Sequence, residues 1–133
     1  MPSSRVFDSW ALLAFFQGEP AAAAVESLII EGRHSRAPMW ITSVNLGEVW
    51  YKIARRSSEL ADRYVEHVKG LGIEVQEADW ELTRGAAQFK ARYPISYADC
   101  FAAALAKRHR AELVTGDPEF HGVEKEIRIH WLR

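Results

Sequence analysis

Short apolar runs, among them Val6-Phe7, Met39-Trp40-Ile41, Ile73-Glu74-Val75 and Leu113-Val114, recur along the chain. Each is parted from the next by one or more segments with helical periodicity. This alternation constrains the fold more than any other feature. Strands joined through helices need crossover connections, and crossovers give a mainly parallel sheet covered on both faces. The expected class is α/β, a three-layer α/β/α arrangement.

The local signals fill in the elements. Arg5-Val6-Phe7 reads as a strand running into Asp8, and Ser9 to Phe16 as a largely buried helix. Pro20 and the run Ala21 to Ala24 predict a second helix to about Ile30, with Pro20 in its first turn and Gly32 ending it. After the strand at Met39-Trp40-Ile41, Thr42 or Ser43 can cap a helix whose Leu46, Val49, Trp50 and Ile53 fall at helical spacing. Ser58 to Lys69 forms another helix, closed by Gly70 and Gly72, and Ile73 to Val75 a strand. Asp79 caps a helix to about Arg92, Pro94 stops it, and Ser96 opens one carrying Asp99, Phe101, Ala102, Leu105 and Ala106. Glu112 to Thr115 and Ile127 to Leu132 are the last strands, with Gly116-Asp117-Pro118 turning between them. No repeat or linker divides the chain, so residues 1–133 are read as one domain.

Composition excludes several classes. At 48% hydrophobic and 26% charged residues, with a mean hydropathy of -0.21, the chain resembles an ordinary soluble protein. Its longest uncharged apolar stretch, Trp10 to Phe16, is too short to span a bilayer. Arg5 and Asp8 stand where a cleavable leader would need its apolar run. A lone Cys100 allows neither an internal disulfide nor a thiolate metal site, which suits a reducing cytoplasm. A net charge of -1 gives no global nucleic-acid signature, but Lys52, Arg55 and Arg56 form one basic patch and Lys107, Arg108 and Arg110 another. Both lie near helix C-termini, where cations also suit the helix dipole.

The acids point to chemistry. In open α/β sheets the ligand crevice lies at the carboxyl ends of the strands. Asp8 and Asp117 follow strands there, while Glu48 and Asp99 lie early in helices that reach the same edge. Each has an ordinary structural alternative: Asp8 as a helix cap, Asp99 as the acidic member of a capping box, Asp117 as a turn residue, Glu48 as a solvated helix position. Together they are harder to explain in that way. Converging carboxylates repel unless a cation intervenes, and magnesium or manganese prefers such oxygen ligands. A hard divalent ion among them would suit phosphodiester hydrolysis.

Four segments, in order, carry a family pattern: Val6-Phe7-Asp8-Ser9 with Ala11-Leu12-Leu13; Thr42 to Val49; Ile95 to Ala106; and Leu113 to Phe120. On these the chain resembles PIN-domain proteins, specifically the VapC-type toxins of toxin–antitoxin pairs. The resemblance implies a PIN fold and a site of Asp8, Glu48, Asp99 and Asp117 binding Mg2+, with Mn2+ able to substitute. It implies cleavage of RNA, transfer or ribosomal RNA being the expected targets, neutralisation by a VapB-like antitoxin, and a toxin homodimer. By position, Thr115 and Asn45 match polar residues that orient the acids, and Ser9 is a further supporting hydroxyl. The chain departs from the pattern at Trp10, where family members often carry a small hydroxyl residue. Glu119 is a spare carboxylate left outside the core set.

Rival classes fail on particular residues. A haloacid-dehalogenase-like enzyme needs an aspartate where Trp10 stands, and a receiver domain needs an acidic neighbour for Asp8 and a lysine near Thr115. No phosphate-cradling glycine loop is present. The histidines lack metal-ligand spacing. The non-enzyme alternative is an inactive PIN-like module that binds RNA or protein. Trp10, Trp50 and Tyr51 are candidates for an aromatic contact surface.

Overall fold

The computed structural model describes residues 3–133. Its elements run β1 (Arg5–Phe7), α1 (Ser9–Phe16), α2 (Ala22–Ser35), β2 (Met39–Thr42), α3 (Ser43–Ala54), α4 (Ser58–Gly70), β3 (Glu74–Gln76), α5 (Trp80–Arg92), α6 (Tyr97–His109), β4 (Glu112–Thr115), a 3-10 turn (Pro118–Val123) and β5 (Arg128–Trp131). The strands form one sheet in the order β3-β2-β1-β4-β5, and every pairing among them is parallel.

Side chains alternate across this sheet, as the period of two requires. Phe7, Ile41 and Val114 face a core shared with α1, α2, α3 and α4. Val6 and Leu113 face the other core, shared with α5, α6 and the 3-10 turn. Two cores on opposite faces of one sheet make the three layers that the sequence predicted. In α6 the small side chains Ala102, Ala103, Ala104 and Ala106 are all buried, which lets the helix sit close to the sheet with α5 across it.

Two sequence expectations need correction. Pro20 lies in the turn before α2, not in its first turn, and Gly32 does not end that helix, which continues to Ser35 and stops at Arg36 in the left-handed conformation. Gly32 is there for proximity. A Cβ on it would stand 2.5 Å from Sδ of buried Met39, so the missing side chain lets α2 lie against β2. The other boundary changes are small: β3 shifts by one residue, β5 is shorter by one residue at each end, Thr42 is the residue that caps α3, and α4 extends through Gly70.

The opposite, amino-terminal side of the sheet is closed by charge pairing. Buried Arg5 donates to Glu31 and Glu112 at 2.7 and 2.9 Å and to the Leu28 carbonyl. The desolvation of this guanidinium is thus offset by two carboxylates and a carbonyl. Among the described residues no cation forms a salt bridge with the acids at the other edge.

Candidate metal centre

The central strands β1 and β4 deliver the first and last acids. Asp8, directly after β1, is 1% exposed. Its Oδ1 accepts the Ala11 N–H at 2.9 Å and so caps α1, while its Oδ2 accepts the Thr115 hydroxyl. The capping role expected of this residue is thus present, and its second oxygen is tied to β4. Thr115, fully buried, also accepts the Asp117 N–H at 3.0 Å, so a single hydroxyl ties the end of β1 to the turn after β4.

Asn45 performs the matching task on the other side. The Thr42 hydroxyl donates to Asn45 Oδ1 at 2.6 Å and accepts the Asn45 backbone N–H, which fixes the amide with its Nδ2 outward. That nitrogen donates to Glu48 Oε1 at 3.2 Å and to the Ala98 carbonyl at 3.1 Å. Asn45 thus links Glu48 on α3 to the residue preceding Asp99 on α6. The Ser9 hydroxyl also donates to Glu48 Oε1, at 3.0 Å. All three supporting residues expected from sequence touch an acid or its backbone. Ser9 supplies the hydroxyl contact that Trp10 cannot.

Glu48, Asp99 and Asp117 line a cleft of about 420 Å³ together with Ser9, Trp10, Lys52 and Glu119. Asp8 does not line it and is buried behind. The spare acid also moves to the centre: carboxylate oxygens of Asp99, Asp117 and Glu119 all lie within 4.8 Å of one another. Glu119, left outside the core set by the sequence, is exposed but lies beside it. Its Oε1 accepts the Ser96 N–H at 3.1 Å, while the Ser96 hydroxyl accepts the Asp99 N–H. Glu119 is thereby attached to the amino end of α6, where a carboxylate also suits the helix dipole. Asp117 caps the 3-10 turn and its Oδ1 accepts the Glu119 N–H at 2.9 Å, which keeps the two residues together.

The electrostatics are unbalanced. Burial pushes the Asp8 carboxyl up to about 7, against the opposing hydrogen bonds of Thr115 and Ala11, with the charges of Asp99 and Asp117 adding to the rise. Burial likewise pushes Asp99 up to about 7, opposed by Ser96 and reinforced by Asp117, Glu119 and Glu48. Among the described residues none of these five acids forms a salt bridge, and Lys52 is the one cation lining the cleft. Glu126, by contrast, pairs with Arg92 and Lys107 and is held down to about 2, chiefly by the Lys107 hydrogen bond. An all-oxygen, cation-poor cluster has the donor chemistry of a hard divalent ion site. The residues present fit such an ion, with Asp99, Asp117 and Glu119 closest together.

Comparison with known proteins gives the family and the fold. The family model described as PIN domain matches residues 5–126. No curated protein matches the sequence. Among solved structures, a chain of VapBC2 from Rickettsia felis, bound to a fragment of its promoter DNA, superposes with a TM-score of 0.75 at 14% identity, covering 98% of this chain and 99% of that one. VapC20 of Mycobacterium tuberculosis, described as a toxin that cleaves the sarcin–ricin loop, gives 0.69 at 16% identity, over 90% and 94% of the two chains. DNA-bound VapBC from Salmonella typhimurium gives 0.70 at 19%, over 96% and 97%. At these identities the likeness is one of fold. Among the described residues no helix is long and apolar enough to cross a membrane.

Proposed function

The chain belongs to the PIN-domain family, and from that premise we propose that it is a divalent-metal-dependent endoribonuclease, the toxin of a type II toxin–antitoxin pair. Residues 1–133 are read as one PIN domain. The observation that carries the proposal is the acid cluster at the carboxyl edge of β1 and β4, lacking any salt bridge among the described residues. A fold does not specify an activity, so the weight rests on this site.

In this reading Asp8, Glu48, Asp99 and Asp117 make up the metal set, with Mg2+ the expected ion, Mn2+ an acceptable substitute, and Glu119 a fifth acid beside them. The chemistry such an ion supplies when bound is neutralisation of phosphate charge and activation of water for attack at phosphorus. The protein's own side chains do the rest. Thr115 and Asn45 hold Asp8 and Glu48 in place, Ser9 adds a second donor to Glu48, and Lys52 offers a positive contact for a neighbouring phosphate in an otherwise acidic cleft. The bond broken is a P–O ester of the RNA backbone, and transfer or ribosomal RNA is the favoured substrate class. A VapB-like antitoxin, a homodimer and a cytoplasmic location belong to the same proposal. The similarity to toxins in VapBC complexes supports the antitoxin partner.

The test is incubation of purified, antitoxin-free protein with total RNA in magnesium, in manganese and in chelator, beside Asp99→Asn. Discrete fragments that need the metal and vanish in the variant are the expected result. Absence of cleavage by well-folded protein would transfer the weight to the inactive binding module.

A further inference from the structure

Trp10 is the one large aromatic side chain among the residues lining the acidic cleft. It stands where the family pattern more often has a small hydroxyl, and Ser9 supplies the hydroxyl contact to Glu48 in this chain. Its ring is fixed from two sides. One part packs against the core of α1 to α4, and its six-membered edge rests on Gly116, where a Cβ would stand only 2.3 Å from the ring. Gly116 separates Thr115 from Asp117, so the indole lies against the segment that carries the last acid. Trp10 is half-buried and lines the cleft beside Glu48, Asp99, Asp117 and Glu119.

An indole there cannot neutralise phosphate or bind a cation-bridged oxygen. Its chemistry is a flat, apolar, polarisable surface, and the group on an RNA chain that matches it is a nucleobase. A base paired and stacked within an A-form helix has no free face, whereas bases in loops and bulges can be splayed out onto aromatic side chains. Resting on the nuclease reading, we propose that Trp10 is a stacking platform for an unpaired base beside the scissile phosphate. Trp10 is then a specificity-determining residue for the base it stacks. Because Gly116 and the core hold the ring in place before binding, little ordering accompanies the contact.

The experiment uses a short RNA hairpin whose loop contains the cleavage position, once mapped with the wild-type protein. Cleavage kinetics are measured for wild type, Trp10→Phe and Trp10→Ala, with Mg2+-induced thermal stabilisation recorded for each. The same series is run on a hairpin with an abasic nucleotide flanking the cleavage position. Stacking predicts a KM increase of roughly 5- to 150-fold for Trp10→Ala, a much smaller one for Trp10→Phe, and unchanged Mg2+ stabilisation. The abasic substitution should raise KM by a similar factor in wild type and add nothing further in Trp10→Ala. An unchanged KM in Trp10→Ala, equal losses in both variants, or no penalty for any flanking abasic site with wild type would overturn the proposal. The abasic result on wild type stands even if Trp10→Ala fails to fold. Absence of metal-dependent cleavage by wild type would instead defeat the nuclease reading beneath it.

Discussion

Replacing Thr115 with valine removes a hydroxyl while keeping the shape of a fully buried side chain. Two hydrogen bonds disappear, one donated to Asp8 Oδ2 and one accepted from the Asp117 N–H. A bond to a charged group contributes about 1.5–3 kcal/mol and an ordinary one about 1, so the metal-free protein should lose roughly 2–4 kcal/mol where Asp8 is ionised. The sign with pH follows from Asp8 itself. Its folded pKa of about 7 lies above the ordinary aspartate value of 3.8, so its ionisation opposes folding, and stability rises as pH falls from about 7 towards 4. The Thr115 hydroxyl is one of the groups holding that pKa down, and its removal moves the pKa higher still. The penalty for Thr115→Val is therefore greatest above about pH 8 and shrinks below about pH 6, where Asp8 is protonated in both proteins and about 2 kcal/mol, one neutral hydrogen bond to Asp8 and one from the Asp117 N–H, is at stake. Urea unfolding in chelator at about pH 5.5 and about pH 8.5 measures both limits. Thr115→Ser, which restores the hydroxyl, should recover most of the difference. An equal loss at both pH values, or none at the higher one, would show that Asp8 does not depend on this contact.

Other perturbations separate the parts of the site. Asp99→Asn removes one of the mutually repelling charges, so the metal-free variant should melt higher than wild type above pH 7 while losing most of its Mg2+-induced stabilisation; scanning fluorimetry with and without Mg2+ reads both. Glu119→Gln keeps an oxygen that can accept the Ser96 N–H but removes the charge, so unfolding in chelator should change by less than about 1 kcal/mol while Mg2+ affinity, followed by titration calorimetry, falls several-fold. Lys52→Ala should weaken binding of single-stranded RNA uniformly and reduce the slope of log K against log salt by about 0.7, measured by filter binding with Ca2+ in place of Mg2+.

The layers and the parallel sheet follow from features a sequence displays locally, whereas the strand order does not and the site only partly does. Apolar runs such as Val6-Phe7 and Leu113-Val114, separated by helical segments, imply strands buried on both faces of a parallel sheet, which was legible before any coordinates, while the pairing of these two strands with each other was not. The acids were legible because Asp8 and Asp117 end strands at the edge where such sheets keep their crevices. What periodicity does not encode is contact between distant residues. Gly32 looks like a helix terminator from its neighbours alone, and its reason is Met39 across the α2–β2 junction. Glu119 is solvated, as its sequence context suggests, yet its carboxylate also reaches the Ser96 N–H, a contact its neighbours in sequence do not announce. The same limit applies to the bonds that set the site's electrostatics, since Thr115 meets Asp8 across 107 residues and Asn45 meets Ala98 across 53. These long-range polar bonds hold in register acids that would otherwise drive one another apart. The cluster is therefore unfavourable in itself and maintained by its surroundings, the condition in which a bound cation gains most: it relieves repulsion that the fold already bears.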